Sequence, residues 1–264
     1  MESRYERGYK KLLQVDGKAG EKVGDSLKDI SPDLVRYMIE YSFGDIYSRE
    51  GLDLKSKEVA VVAALTALGN AEPQLKVHIN GALNVGCTIN EVKEIILQMS
   101  AYSGFPTCIN AMNALKTVLE ERKLEGIEDV TGQENNNEIS PVERYDAGAK
   151  ELSKLDDKQV ERLEEAYKDF APDLTKLVIQ SYADIISRDN LQIRYRQIST
   201  IAALTALGNA KPQLKFHING GLNIGLTAEE IKEIMLLMTV YSGFPSAING
   251  TNALKEVLEE RING

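Results

Sequence analysis

"ALGNAEPQLKVHINGALNVG" (residues 67–86) returns as "ALGNAKPQLKFHINGGLNIG" (residues 206–225), and the chain's only two histidines, His78 and His217, occupy the same place in the two copies. Working outward, residues 58–122 and 197–261 are identical at 43 of 65 positions. The likeness extends toward the N-terminus, where "RYERGYKKL" (4–12) matches "RYDAGAKEL" (144–152) and "SPDL" (31–34) matches "APDL" (171–174). There the spacing between copies is one residue larger, so the second copy is one residue shorter within the helix that follows its proline. Self-similarity of this kind marks a duplicated structural unit. The stretch "TGQENNNEISP" is polar and turn-rich and reads as a connector. The expected division is a first domain over 1–130, a linker over 131–141 and a second domain over 142–264.

Within each copy the pattern is helical almost throughout. Ser31 is placed to cap a helix that Pro32 begins, and "LKSKEVAVVAALTALG" stops at Gly69, a helix-terminating residue. Pro73 opens the histidine helix, expected to run to Gly86. Thr88 with Glu91, and Thr227 with Glu230, have the spacing of a capping box. After Gly104, Pro106 starts a last helix. No alternating strand pattern and no Asn-Gly hairpin between apolar runs occurs, so the fold class is all-α. "VAVVAALTALG" is apolar on every face, which requires a central, enclosed helix. Two such units in tandem are expected to pack about a pseudo-twofold axis and to associate further through leftover apolar surface.

The totals narrow the partners. The chain has 264 residues and a formal charge of −9, with a pI of about 5.0. An acidic protein lacks the basic surface that nucleic acid or an anionic membrane demands, so neither is expected as a partner. No apolar run approaches the roughly 20 residues that span a bilayer, and "MESRYERGYKK" has no apolar signal core. Cys87 and Cys108 are the only cysteines and form no CxxC, which suits a cytoplasmic location.

Few residues remain for chemistry. His78 shares a helix face with Gln74 and Ala82, and the second copy keeps the histidine while Val77 becomes Phe216 and Ala82 becomes Gly221. Gln74, Asn80 and Asn84 recur as Gln213, Asn219 and Asn223. Because unpaired buried polar groups are costly, such retention fits a structural network as well as it fits a site. Glu58 precedes the apolar helix and could orient an imidazole or raise its basicity, or simply favour the helix N-terminus. Its counterpart is Gln197, so only the first copy is fully equipped. Tyr102 and Tyr241 of "YSGFP" could turn hydroxyls inward. Asn110, Asn113, Asn249 and Asn252 could satisfy buried backbone or hold a ligand oxygen. Cys87 and Cys108, replaced by Leu226 and Ala247, read as small buried apolar residues. Two histidines in separate copies are no standard metal set, so no metal is expected, and no phosphate-binding glycine loop occurs to suggest a cofactor.

The run from Leu52 to Leu115, with Glu58, "HINGALNVG", "T..E" and "YSGFP" at these spacings, resembles the carboxymuconolactone decarboxylase family of the alkylhydroperoxidase D-like superfamily. The resemblance implies an all-helical fold that forms rings, so a tandem chain would assemble as a trimer, with sites near the histidine helix and the subunit contacts. Peroxidase-type members carry CxxCxxxH. Here the two cysteine positions hold Ala71 and Gln74, and in the second copy Ala210 and Gln213, so neither copy can run a dithiol cycle. Decarboxylase-type members release CO2 from a small anionic lactone, which implies a proton donor or oxyanion partner at His78, oriented by Glu58, and a Glu-less version at His217. Lys76 or Lys57 could attract the substrate's carboxylates, although both read more readily as surface charge. A redox protein using Cys87 or Cys108, and a ring-forming binding protein without activity, are the competing readings.

Overall fold

The computed structural model describes residues 2–263, and every regular element in them is helical. The first repeat comprises α1 (Arg4–Val15), α2 (Gly17–Leu27), α3 (Pro32–Tyr37), α4 (Leu54–Leu68), α5 (Glu72–Asn84), α6 (Ile89–Gln98) and α7 (Phe105–Leu124). The second comprises α8 (Arg144–Ser153), α9 (Gln159–Tyr167), α10 (Pro172–Ser181), α11 (Ile193–Leu207), α12 (Lys211–Asn223), α13 (Ala228–Tyr241) and α14 (Gly243–Asn263). A π-helical stretch continues α3 over Met38–Tyr47 and α10 over Tyr182–Ile186. The extra residue of the first copy falls in this stretch, where a π-turn absorbs an insertion without breaking the helix. The tandem all-α organisation is therefore present. No helix among the described residues is long and apolar enough to cross a membrane.

Burial explains the arrangement. Ser56 through Ala67 of α4 and Arg196 through Ala206 of α11 are buried without interruption. A helix apolar on all faces must be enclosed, and the two pack against each other at the centre. The main core cluster draws on both repeats, so they share one interior. Asp53 caps α4 by accepting from the Ser56 amide at 2.9 Å, and Gly69 ends it at φ 65°. Both expected capping boxes form, Thr88 with Glu91 and Thr227 with Glu230.

Matched ion pairs cross between the repeats. Arg49 reaches the buried Glu233 at 2.6 Å, and the corresponding Arg188 reaches the buried Glu94 at 2.8 Å. The reciprocity is that of a pseudo-twofold axis. The connector is fastened along this body, since Ile89 and Asn90 donate their amides to Val130 and Thr131 at 2.9 Å each.

Two local expectations differ. Ser31 stands at the start of α3 but its side chain makes no cap, and Pro32 alone sets the entry. The histidine helix stops at Asn84, before Gly86. There the Cys87 amide donates to Ala82 O at 2.8 Å and the Gly86 amide to Leu83 O at 3.2 Å, a closure that requires the positive φ of Gly86.

The N-terminal hairpin lies tightly on the π-helical stretch, for a Cβ at Gly8 would stand 2.1 Å from Ile39 O. Gly8→Ala is therefore expected to destabilise the protein by about 2 kcal/mol or more, through forced backbone movement. In contrast, a Cβ at Gly24 would meet only Val35 and Met38 side chains at 3.6 and 3.8 Å. Gly24→Ala should be neutral or stabilising by up to about 1 kcal/mol, and urea unfolding of the two variants checks the contrast.

Candidate functional site

The site begins with a carboxylate that the central helix carries inward. Glu58 on α4 is fully buried, and one of its oxygens lies 3.0 Å from His78 Nδ1 on α5. The other oxygen accepts from the Tyr47 hydroxyl at 2.5 Å. Tyr47, having spent its proton there, accepts in turn from the Tyr241 hydroxyl at 2.8 Å. Tyr241 also sets its ring edge-on to His78, with centroids 4.8 Å apart. Gly81 makes room for this packing, since a Cβ there would stand 2.7 Å from Glu58 Oε2 and 3.0 Å from Asp16 Oδ1.

Asp16, at the turn between α1 and α2, completes the group. It is buried, its Oδ1 lies 3.9 Å from His78 Nδ1, and that oxygen has no hydrogen-bond partner. Burial, together with the neighbouring Glu58, outweighs the attraction of His78 and pushes the Asp16 carboxyl up to about 7. For His78, burial pulls the imidazole down, but the charges of Glu58 and Asp16 and the Glu58 hydrogen bond more than offset it, leaving the ring above its ordinary value. His78 Nε2 makes no hydrogen bond among the described residues. It belongs to the lining of a chamber of about 440 Å³ whose other walls include Leu12, Val23, Leu34, Met38, Phe43 and Val77. Tyr41, Gln74 and Tyr241 add polar atoms to the same lining.

The second repeat builds a neutral copy. His217 Nδ1 faces Gln197 Oε1 at 3.0 Å, and Nε2 lies 3.3 Å from the Tyr102 hydroxyl. Burial alone pushes this imidazole down to about 3. The counterpart of Tyr47 is Ile186, and the counterpart of Asp16, Asp156, pairs with Arg162 at 2.6 Å. Val160 and Phe216, in place of Gly20 and Val77, join the small apolar cluster around Leu155 and Tyr182. Larger apolar side chains thus stand at two positions that border the chamber in the first copy.

The profile of the carboxymuconolactone decarboxylase family matches residues 32–117 and 172–256, once in each repeat and over most of the chain. This chain belongs to the carboxymuconolactone decarboxylase family. A 4-carboxymuconolactone decarboxylase of Acinetobacter baylyi is 31% identical over 121 residues, 46% of this chain and 90% of that protein. A nitrosuccinic acid decarboxylase of Metarhizium robertsii is 34% identical over 73 residues, 28% of this chain and half of that protein. A crystal structure from Burkholderia xenovorans, described as a gamma-carboxymuconolactone decarboxylase subunit, shares the fold with a TM-score of 0.60 at 21% identity, covering 99% of this chain and 100% of that one.

For a member of this family, several residues singled out in the sequence serve the scaffold. Asn80 and Asn84 accept from Arg122 at 3.1 and 2.9 Å, and Asn219 and Asn223 accept from Arg261 at 2.5 and 2.8 Å, bracing α5 to α7 and α12 to α14. Asn110, Asn113, Asn249 and Asn252 are exposed and satisfy no buried backbone. Lys57 is not surface charge. It is buried and donates to Tyr47 O and Arg49 O at 2.9 and 2.5 Å. Lys76 pairs with Glu72 at 3.0 Å, and neither lysine lines the chamber. Cys87 and Cys108 are both buried, unbridged thiols, and burial pushes Cys87 up to about 12, far from the thiolate that redox work requires.

Asp16 and Tyr47 escaped the sequence reading. Asp16 recurs as Asp156 beside a helix-breaking turn, which was the available signal, while Tyr47 and Glu58 are lost together as Ile186 and Gln197. With Asp16 included, the expectation of no clustered metal ligands needs correction. Asp16, Glu58 and His78 bring one ligand atom each within 4.8 Å of one another. That set could hold a divalent cation, although the Glu58–His78 contact is already closed by a proton.

With only two histidines, proton NMR reads each ring separately. His78 is expected to titrate above 6.5 and His217 to remain neutral until pH approaches about 3. Glu58→Gln should pull His78 below 6.5, toward the behaviour of His217. The unfolded chain takes a proton at His217 near pH 6.5 that the native state refuses. The stability linked to His217 is therefore present above that pH and lost as pH falls toward about 3.

Proposed function

We propose that the first repeat is a lyase site that releases CO2 from a small lactone carboxylate by proton transfer at His78. The observation that carries this reading is an imidazole held through Nδ1 by a fully buried carboxylate, its ring lining an apolar-walled chamber that opens to solvent at Leu34 and Tyr37. The named activities of the two related decarboxylases support it.

In this mechanism the bond to the departing carboxylate breaks and its electron pair moves into the conjugated carbonyl, giving an enolate. Asp16, whose carboxyl burial raises to about 7, donates in its protonated form toward the oxygen on which charge develops. One such donor is typically worth about 3–4 kcal/mol of barrier. Protonated His78 then delivers its Nε2 proton to carbon, while Glu58 keeps the opposite nitrogen bonded and balances the imidazolium. One proton is consumed for each CO2 released. His217, without a carboxylate, is a retained but unarmed copy in this reading, and the working division is residues 1–130 and 142–264 joined by 131–141.

Assembly as a homotrimer belongs to the same proposal. Exposed apolar side chains recur at matched positions, Phe105 and Phe244 at 71% and 59% exposure, and Leu34 and Leu174 at 54% and 48%. A patch repeated in both copies suits a ring with alternating equivalent contacts. Light scattering should then give a mass three times the 29.2 kDa chain.

Turnover should be followed as CO2 release from a panel of small lactone and β-oxo carboxylates. His78→Ala is expected to lower kcat by about 10²–10⁴-fold, the usual contribution of a positioned proton donor, while His217→Ala leaves it near wild type. Equal loss in both variants, or turnover unaffected by His78→Ala, would refute the assignment.

A further inference from the structure

Buried carboxylates in this chain are of two kinds. Glu94 and Glu233 each hold an arginine, Arg188 at 2.8 Å and Arg49 at 2.6 Å, and Arg196 also reaches Glu94 at 3.0 Å. Asp16 and Glu58 hold none. Among the described residues, the one basic group within salt-bridge distance of either is the His78 imidazole, which they share. Buried charges are kept where they are paired or where they coordinate a metal.

Geometry favours the second case for this group. Asp16 comes from the turn after α1, Glu58 from α4 and His78 from α5, and one ligand atom of each lies within 4.8 Å of the others. His78 Nδ1 stands 3.0 Å from Glu58 Oε2 and 3.9 Å from Asp16 Oδ1. The longer separation is no hydrogen bond, and Asp16 Oδ1 has no partner at all, although Asp16 is only 4% exposed. Donors that each lie about 2.0–2.2 Å from one cation stand about 3–4 Å from one another. Both separations are therefore those of ligands sharing an ion. Gly81 keeps a side chain away from the two oxygens, since a Cβ there would stand 2.7 Å from Glu58 Oε2 and 3.0 Å from Asp16 Oδ1. The other oxygen of Glu58 is held by the Tyr47 hydroxyl at 2.5 Å, the kind of outer contact that orients a ligating carboxylate. Asp16 borders both the chamber and a neighbouring groove, which supplies a route for a cation.

The second repeat keeps the histidine and lacks the rest. Gln197 offers an amide in place of Glu58, and Asp156 is taken by Arg162 at 2.6 Å. The glycine that matches Gly81 is Gly220, and a Cβ there would meet Leu155 at 3.0 Å and no carboxylate.

We infer that Asp16, Glu58 and His78 form a binding site for one divalent transition-metal cation per chain, of the zinc class. One imidazole with two carboxylates suits Zn2+ and disfavours Mg2+, which demands near-octahedral oxygen ligation. Three protein ligands beside an open chamber are also the arrangement in which zinc keeps a position for a small molecule. The cation replaces the proton that closes the Glu58–His78 contact. The loaded chain and the proton-relaying chain of the lyase reading are thus alternative states of one cluster, and zinc binding is measured without substrate.

The test takes the full chain, stripped with a chelator, and titrates it with ZnCl2 against a competing chromophoric chelator while NMR follows both histidine rings. The expected result is one Zn2+ per chain, a shift of His78 with His217 unmoved, and no response to equimolar Mg2+. Tyr47→Phe, which removes an outer contact, should weaken zinc binding by about 10–100-fold, and Asp16→Asn or Glu58→Gln by more than that. Glu58→Gln installs the residue that the second repeat already carries, so its fold is expected to hold. Asp156→Asn is the control and should bind as wild type. Absence of zinc binding at His78, a second cation that shifts His217, or affinity that survives Asp16→Asn and Glu58→Gln would overturn the inference. Zinc binding at His78 by a chain that releases CO2 from no substrate would support this site and count against the lyase reading alone.

Discussion

A fully buried carboxylate is tolerable only when its oxygens are satisfied, and Glu58 meets that demand with His78 on one oxygen and Tyr47 on the other. Much of the first repeat's local architecture follows from this requirement. The central helix must bring Glu58 inward, Gly81 must keep a side chain out of its way, and the π-helical stretch must end where Tyr47 can reach it. The same pairing fixes the imidazole's orientation and leaves the other nitrogen for the chamber.

The two repeats surround their histidines with different groups. Gln197 preserves a 3.0 Å contact to His217 and so preserves the packing, but it supplies no charge to offset burial. Once a buried imidazole can no longer be protonated near neutral pH, it cannot serve as an acid. Val160 and Phe216 add apolar contact at positions where the first copy has Gly20 and Val77 in its chamber wall. The loss of the carboxylate goes together with Ile186 for Tyr47, Val160 for Gly20 and Phe216 for Val77, so several changes and not one separate the two copies.

Neither repeat is complete by itself. Tyr241 of the second repeat packs on His78 of the first, and Tyr102 of the first contacts His217 of the second. Together with the reciprocal Arg49–Glu233 and Arg188–Glu94 pairs, this exchange makes the pseudo-twofold contact part of the site and not only a means of burying apolar helices. The tyrosines were legible as inward-pointing hydroxyls in "YSGFP", but their destination across the repeat boundary was not.

Local pattern determined the helical class, the duplication, the caps at Thr88 and Thr227, the enclosed helix after Glu58, and the pairing of Glu58 with His78 as an expectation carried by family resemblance. These are legible because helix periodicity, capping chemistry and repetition are properties of neighbouring residues or of exact recurrence. Tertiary structure alone decided that Asp16, forty-two residues before Glu58 in the chain, joins the same buried group. It also decided that Asn80 and Asn84 brace Arg122, that Lys57 is buried on backbone carbonyls, and that the chamber has no lysine or arginine in its lining. The physical reason is common to all four. Burial and charge environment depend on which distant helices converge on a residue, and a residue's own neighbours in sequence carry no record of that convergence.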